Sequence, residues 1–379
     1  MHTVLRDGSP ADAGLNAAPI REAERFLAGC PHFSGAVGVL VHDGVIVDRY
    51  ATGQALRYSG AAELPADRQV PTRVDTIFDL ASITKLFTSI AVMRLVETGQ
   101  AELTAPVAKY LPRFGTHGKR DVTVKQLLTH TSGLDANPSP PLWQVPARRE
   151  AVLDSPLVHR PGSAYLYSDL NFMTLGFLIE RLTGSTLDEV VHEHIARPLG
   201  MSDTGFGPPA SKLGRIAATE YQTDPPRGLV HGQVHDENAW ALGGVSGHAG
   251  IFSTAGDLTV LAQTILNSGR YHDARILEPE TVRQLLANHN QAFPGEDHGL
   301  GFELNRRFYM GALCSPVTAG HTGFTGTSLV IDPASRSIAI LLTNRVHPTR
   351  NRGSINLARQ TWATALAHGW RHNYRRLVR

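Results

Sequence analysis

Ser82 and Lys85 stand three residues apart. On a helix that spacing puts both side chains on one face, within reach of each other. A serine hydroxyl is a poor nucleophile until a neighbour removes its proton. From Ile83 to Val96 the chain is apolar at Ile83, Leu86, Phe87, Ile90, Val92, Met93 and Val96, and Gly99 follows as a stop. The pattern predicts a mostly buried helix with Ser82 at its first turn. Free N–H groups and the positive end of the helix dipole would there favour a developing oxyanion. Taken alone, Ser82 is equally readable as a helix cap followed by a surface lysine. Lys85, however, falls in an apolar helix, where an unpaired ammonium is costly.

Two further stretches carry chemistry. Tyr167-Ser168-Asp169 precedes an apolar helix over Leu170–Leu182. A tyrosine beside a lysine cation can have its pKa lowered and act as a base; a capping segment with a packed tyrosine is the plainer alternative. His321-Thr322-Gly323-Phe324 enters the last pair of strands. The glycine would let a ligand lie against a strand edge, and the next backbone N–H, that of Phe324, could donate to an oxyanion. A glycine-rich turn is the alternative there. Eighteen histidines raise a metal reading. His192-x-His194 and His231-x3-His235 have ligand-like spacing, but no Cys pattern or H-E-x-x-H supports them. Neither a metal nor an organic cofactor is expected. The chain also lacks G-x-S-x-G. Gly243–Gly250 lacks a phosphate-loop lysine and reads as a tight loop beside the site. Trp143, in Pro140-Pro141-Leu142-Trp143, is a candidate wall of an acyl pocket or a packed loop anchor.

These groups need a frame. Residues 16–28 have helical apolar spacing, and Ala36–Val41 and Val45–Tyr50 flank Asp43-Gly44, a hairpin signal. Residues 53–74 are polar with scattered Gly and Pro and read as loop. Thr123-x-x-Gln126 and Thr254-x-x-Asp257 read as helix caps. Leu187–Ala196 continues the helical middle. Strands return at Thr327–Ile331 and Ile338–Thr343, and a last helix starts near Ser354. The order predicts an α+β protein: an antiparallel sheet built from both chain ends and flanked by helices, with an inserted helical domain. Expected boundaries are 1–94 and 216–379 for the sheet domain and 95–215 for the helical one, with the active site between them.

Composition narrows the class. The 379 residues carry 36 Lys+Arg against 34 Asp+Glu, a net charge of +2, with 42% hydrophobic and 18% charged residues. That balance leaves no footprint for nucleic acid or an anionic membrane and suits a globular chain. Neither Leu86–Met93 nor Ile338–Leu342 is long enough to span a bilayer. No apolar leader fits the first thirty residues, and Cys30 and Cys314 are isolated, so a soluble cytoplasmic protein is expected. Only five of the 36 basic residues are lysines, which makes Lys85 conspicuous.

Together, Ser82-x-x-Lys85, Tyr167-Ser168-Asp169 and His321-Thr322-Gly323 resemble the serine β-lactamase and penicillin-binding-protein superfamily, most of all its class-C-type branch of esterases, D-aminopeptidases and transacylases. Supporting stretches are Thr129–Leu134, Tyr167–Phe172, Pro198–Met201, Val234–Ala239, Gly243–Gly250 and His321–Gly326. The resemblance runs from about Gly35 to Arg345. It implies a β-lactamase/transpeptidase-like fold and a Ser82 acyl-enzyme. Lys85 and Tyr167 would share the proton work, and the N–H groups of Ser82 and Phe324 would form the oxyanion hole. Asp169, His321, Thr322, Gly323 and Trp143 would contact substrate. Two departures stand out. Asp169 replaces the usual asparagine, which should keep Lys85 charged and leave Tyr167 as principal base. His321 replaces a lysine that binds substrate carboxylate. A mostly neutral imidazole there argues against efficient β-lactam hydrolysis and for esters, activated acyl groups or uncharged amides. The expected partners are a small acyl substrate and water or an amine or alcohol acceptor. The alternatives are a transacylase of natural-product biosynthesis, a D-aminopeptidase, D,D-peptidase or weak β-lactamase, and a non-catalytic binding protein of this fold.

Overall fold

The computed structural model describes residues 3–377, with side-chain surroundings through residue 370. Its main sheet is ordered Arg6–Asp7, Val45–Leu56, Gly35–His42, Ser337–Thr343, Ser328–Asp332, Ala319–Thr322 and Glu303–Leu304. Arg6–Asp7 is parallel to its neighbour and the other pairs are antiparallel. The two chain ends meet at the centre, where Ala36 pairs with Thr343 and His42 with Ser337. Asp43 and Gly44 close the first hairpin with φ of 48° and 76°, the left-handed pair that a two-residue turn matched to strand twist requires.

A period of two explains both faces of the sheet. Val37, Val39, Val41, Ile338, Ile340 and Leu342 join one buried cluster, and Ala36, Leu40, Ala339 and Leu341 join another. The second face is covered by helices from the two chain ends, Ala18–Ala28 and Asn356–Leu377, with Trp362 buried at the centre. The first face is covered by Ala255–Leu266. The core on that side continues without a break into the helices Thr84–Glu97 and Asp169–Thr183, which pack on each other.

Two elements differ from the sequence reading. The second strand runs to Leu56, and Val70–Pro71 pairs with its far end, so residues 53–74 are not all loop. Backbone pairing at a sheet edge needs no apolar pattern, which is why the polar composition hid it. Leu187–Ala196 is helical in two parts, an α turn over Leu187–Val191 and a π turn over His192–Ala196.

A small antiparallel sheet positions the site. Ile251–Ser253 pairs with Phe78–Asp79 on one side and Gly205–Phe206 on the other. It carries the segment before Ser82 to the loop Gly243–Gly250. Because Trp362 is 1% exposed at the centre of the terminal-helix layer, Trp362→Ala should lower unfolding free energy by about 3–5 kcal/mol in urea titration. A change below ~1 kcal/mol would contradict this packing.

Candidate active site

Ser82 sits in the 3₁₀ turn Ala81–Ile83, which runs directly into the helix Thr84–Glu97. The residue before it, Ala81, holds φ at 48°, a left-handed conformation that costs a non-glycine residue energy. Buried Asp79 fixes that turn: its carboxylate accepts the Ala81 N–H at 2.9 Å and the His235 N–H at 2.6 Å. From the other side, the hydroxyls of Thr325 and Thr327 donate to the Asp79 and Leu80 carbonyls at 2.7 and 2.9 Å. A Cβ at Gly323 would stand 2.3 Å from the Leu80 oxygen, so only glycine lets the strand end lie this close.

The structure brings Lys85 onto Ser82. The lysine is 0% exposed, and its Nζ donates to Ser82 Oγ at 2.9 Å and to the His248 carbonyl at 3.3 Å. It pairs with Asp169 Oδ1 at 2.7 Å. Nζ also lies 4.8 Å from the centre of the Tyr167 ring, and Ser82 and Tyr167 line the same cavity. The expected lowering of the Tyr167 pKa does not occur. Burial first, then the Asp169 carboxylate, push this phenol well above its ordinary value, outweighing the lowering influence of Ser82. Asp169 neutralises the cation that was to stabilise a phenolate.

His130 seats the tyrosine loop. Its Nδ1 accepts the Ser168 N–H at 3.0 Å, and its ring lies 4.6 Å from that of Tyr167. Ser132 Oγ donates to Asn171 at 2.6 Å. These contacts anchor the start of the helix Asp169–Thr183 and so aim Asp169 at Lys85.

His321 is 2% exposed, and its Nδ1 donates to the Thr322 carbonyl at 2.7 Å. The lone pair therefore sits on Nε2, which has no protein partner. Burial, then the Lys85 charge, hold the imidazole well below its ordinary pKa, so it is neutral at pH 7. Among the described residues, neither the Ser82 nor the Phe324 backbone N–H donates to a protein acceptor.

Ser82, Tyr167, His321, Thr322, Gly323 and Phe324 line one cavity of about 740 Å³. Asp169 and Trp143 do not. Asp169 lies behind Lys85, and Trp143 packs against the main core, drawn inward by buried Leu142. The cavity also takes in Glu303, Arg345, Arg350 and Arg359, which sequence reasoning missed. Two signals were available: one acid in the apolar run Gly299–Leu304, and one arginine on the buried face of the last helix. Arg350 pairs with Glu220 and Glu237. Arg345 and Arg359 bond only to carbonyl and amide oxygens and have no carboxylate partner among the described residues. Burial, then neighbouring Arg345, lower Arg359 to about 10, which leaves it charged at pH 7.

Asp169, Asp236 and His248 bring three ligand-type atoms within 4.8 Å of one another. Protein partners already occupy them: Lys85 holds Asp169, and His248 Nε2 meets Asp236 at 2.8 Å. His192 and His194 are exposed, while His231 and His235 turn to different acceptors, Ile216 and Glu220.

Known proteins share this architecture. Residues 23–361 match the Beta-lactamase family. The chain is 35% identical to the "Putative D-alanyl-D-alanine carboxypeptidase" of Escherichia coli K12, over 97% of this chain and 92% of that protein. A penicillin-binding protein homolog from Caulobacter crescentus superposes with a TM-score of 0.73 at 25% identity, covering 92% and 97% of the two chains. EstCE1, described as a hydrolase with promiscuous acyltransferase activity, gives 0.73 at 24% identity over 95% and 100%, a likeness of fold. No helix among the described residues is long and apolar enough to cross a membrane. The chain belongs to the Beta-lactamase family and is a serine hydrolase or acyltransferase of the serine β-lactamase and penicillin-binding-protein superfamily.

Proposed function

We propose that the protein transfers an acyl group from a small-molecule ester or amide through an acyl-Ser82 intermediate, to water or to an amine or alcohol. The observation that carries this reading is the Lys85–Ser82 bond at 2.9 Å at the mouth of the cavity. Ser82 Oγ attacks the carbonyl carbon, and the carbonyl electron pair moves onto oxygen, where the Ser82 and Phe324 N–H groups receive it. The serine proton passes through the Tyr167 hydroxyl and Lys85, and the Asp169 carboxylate, 2.7 Å from Nζ, takes the proton that Lys85 gives up. Collapse breaks the bond to the leaving group, which takes that proton. The acceptor repeats the cycle in reverse. Because Tyr167 is a neutral phenol at rest, it works as a relay beside Lys85 rather than as a standing phenolate. His321 Nε2, a bare acceptor, suits an O–H or N–H on the substrate or acceptor.

A second reading, D,D-carboxypeptidase action, is favoured by one observation. Arg345 and Arg359 supply cations with no direct carboxylate partner among the described residues in the same cavity, so the absence of a lysine at 321 does not leave a substrate carboxylate without a partner. The cytoplasm is the proposed site of action, and export of a tagged chain would favour the carboxypeptidase arm instead.

Wild-type protein exposed to p-nitrophenyl acetate should show an acetyl increment by intact mass, and Ser82→Ala should lose it, with turnover down by about 10³-fold or more. An equal adduct on Ser82→Ala would favour a non-catalytic binding protein. Added amines or alcohols should divert product if transfer dominates, whereas a partition that ignores them marks hydrolysis. The Asp169 charge raises the Tyr167 pKa. Asp169→Asn should therefore let Tyr167 lose its proton at lower pH, moving the alkaline limb of kcat/KM down by about one unit. A limb that stays put or moves up would contradict the role given to Asp169.

A further inference from the structure

Glu303 lies on the outermost strand of the sheet, paired with Gly320 one residue before His321. It is 9% exposed and lines the cavity that holds Ser82. Its carboxylate makes no ion pair and no hydrogen bond among the described residues, and Oε2 is fully enclosed without a partner. The Tyr309 hydroxyl stands beside it without hydrogen-bond geometry. Arg306, which influences it, is committed to Glu296 at 2.6 Å, and Arg359 to the Gly323 and Thr327 carbonyls.

Arg306, the Tyr309 hydroxyl and Arg359 favour the Glu303 carboxylate from nearby, but none makes an ion pair or a well-formed hydrogen bond to it, and a buried acid left so is expensive. Burial accordingly pushes the Glu303 carboxyl above its ordinary pKa, against the pull of Arg306. An apolar side chain would fill the same place at the strand end without that cost. The mechanism above makes no use of the residue. The missing element is a positive hydrogen-bond donor that arrives from the cavity. An incoming ammonium would meet a carboxylate whose water has already been removed, so the pair gains more than it would on an open surface.

We propose that Glu303 recognises a free amino group on the substrate, which makes amino-acid-type amides or esters the preferred class. This deepens the acyl-transfer reading and rests on it. The cavity then offers an anion-binding wall at Arg345 and Arg359 and a cation-binding point at Glu303. That combination fits a zwitterionic or amino-acid-like substrate better than a plain alkyl ester.

The test compares p-nitroanilides of D-alanine, L-alanine and β-alanine with their isobutyryl and butyryl counterparts, in which a methyl replaces the ammonium. Wild-type protein should favour at least one amine over its counterpart by tenfold or more in kcat/KM. Glu303→Gln should bring that ratio within about threefold, since an amide keeps the shape and removes the charge. A wild-type ratio near one, or a preference that survives Glu303→Gln, would overturn the assignment. The same pairs titrated calorimetrically onto Ser82→Ala report recognition without chemistry. If no Ser82-dependent turnover is found, the acyl-transfer reading fails, and this binding ratio decides the role of Glu303 alone.

Discussion

A lysine ammonium with no exposed surface holds this site together. Lys85 is buried in the core between the two central helices, and nothing in an apolar helix compensates its charge. Asp169 does so from the facing helix at 2.7 Å. The geometry of that single pair explains much of what surrounds it. His130 and Ser132 fix the turn that presents Asp169. The His248 carbonyl caps the third direction of the ammonium. Satisfying a buried cation from three separate segments allows one arrangement of those segments, and Ser82 is placed by it.

The same pair sets the electrostatics. Burial, and then the Asp169 carboxylate, keep Tyr167 protonated, while burial and then the Lys85 charge keep His321 neutral. The resting site thus sets neutral Tyr167 and His321 beside one ion pair, and among the described residues the Ser82 and Phe324 N–H groups bond to no protein acceptor. Arg345 and Arg359 add positive charge to the same cavity, and Arg359 helps to hold His321 neutral.

Much of this was legible in the residues. The strands at both chain ends could be read because their apolar residues repeat at every second position or flank Asp43-Gly44. Ser82, Lys85 and Tyr167 could be read because a polar group inside an apolar helix, or at its mouth, is conspicuous. Of the two readings of Trp143 the structure takes the packed anchor; an aromatic in a proline-rich loop looks the same whether it faces a ligand or the core. Tyr167 was given the wrong direction of pKa shift because the reading left out burial and took Asp169 as a support for Lys85, not as an anion beside the phenol. Glu303, Arg345 and Arg359 escaped notice because their meaning depends on which strand edge and helix end meet far apart in the sequence, and no local spacing encodes that. His235, Asp236 and Glu237 were quoted as a block without roles; each turned out to bond a different segment, Asp79, His248 and Arg350.

The central claim is that Lys85 and Asp169 form one energetic unit on which the site depends. A double-mutant cycle with Lys85→Met and Asp169→Asn, read by urea unfolding, tests it directly. Each single change strands a buried partner and should cost about 3–5 kcal/mol, while the double variant should be little worse than either, giving a coupling of about 2 kcal/mol or more. Effects that add within ~0.5 kcal/mol would show two independent residues and contradict the account.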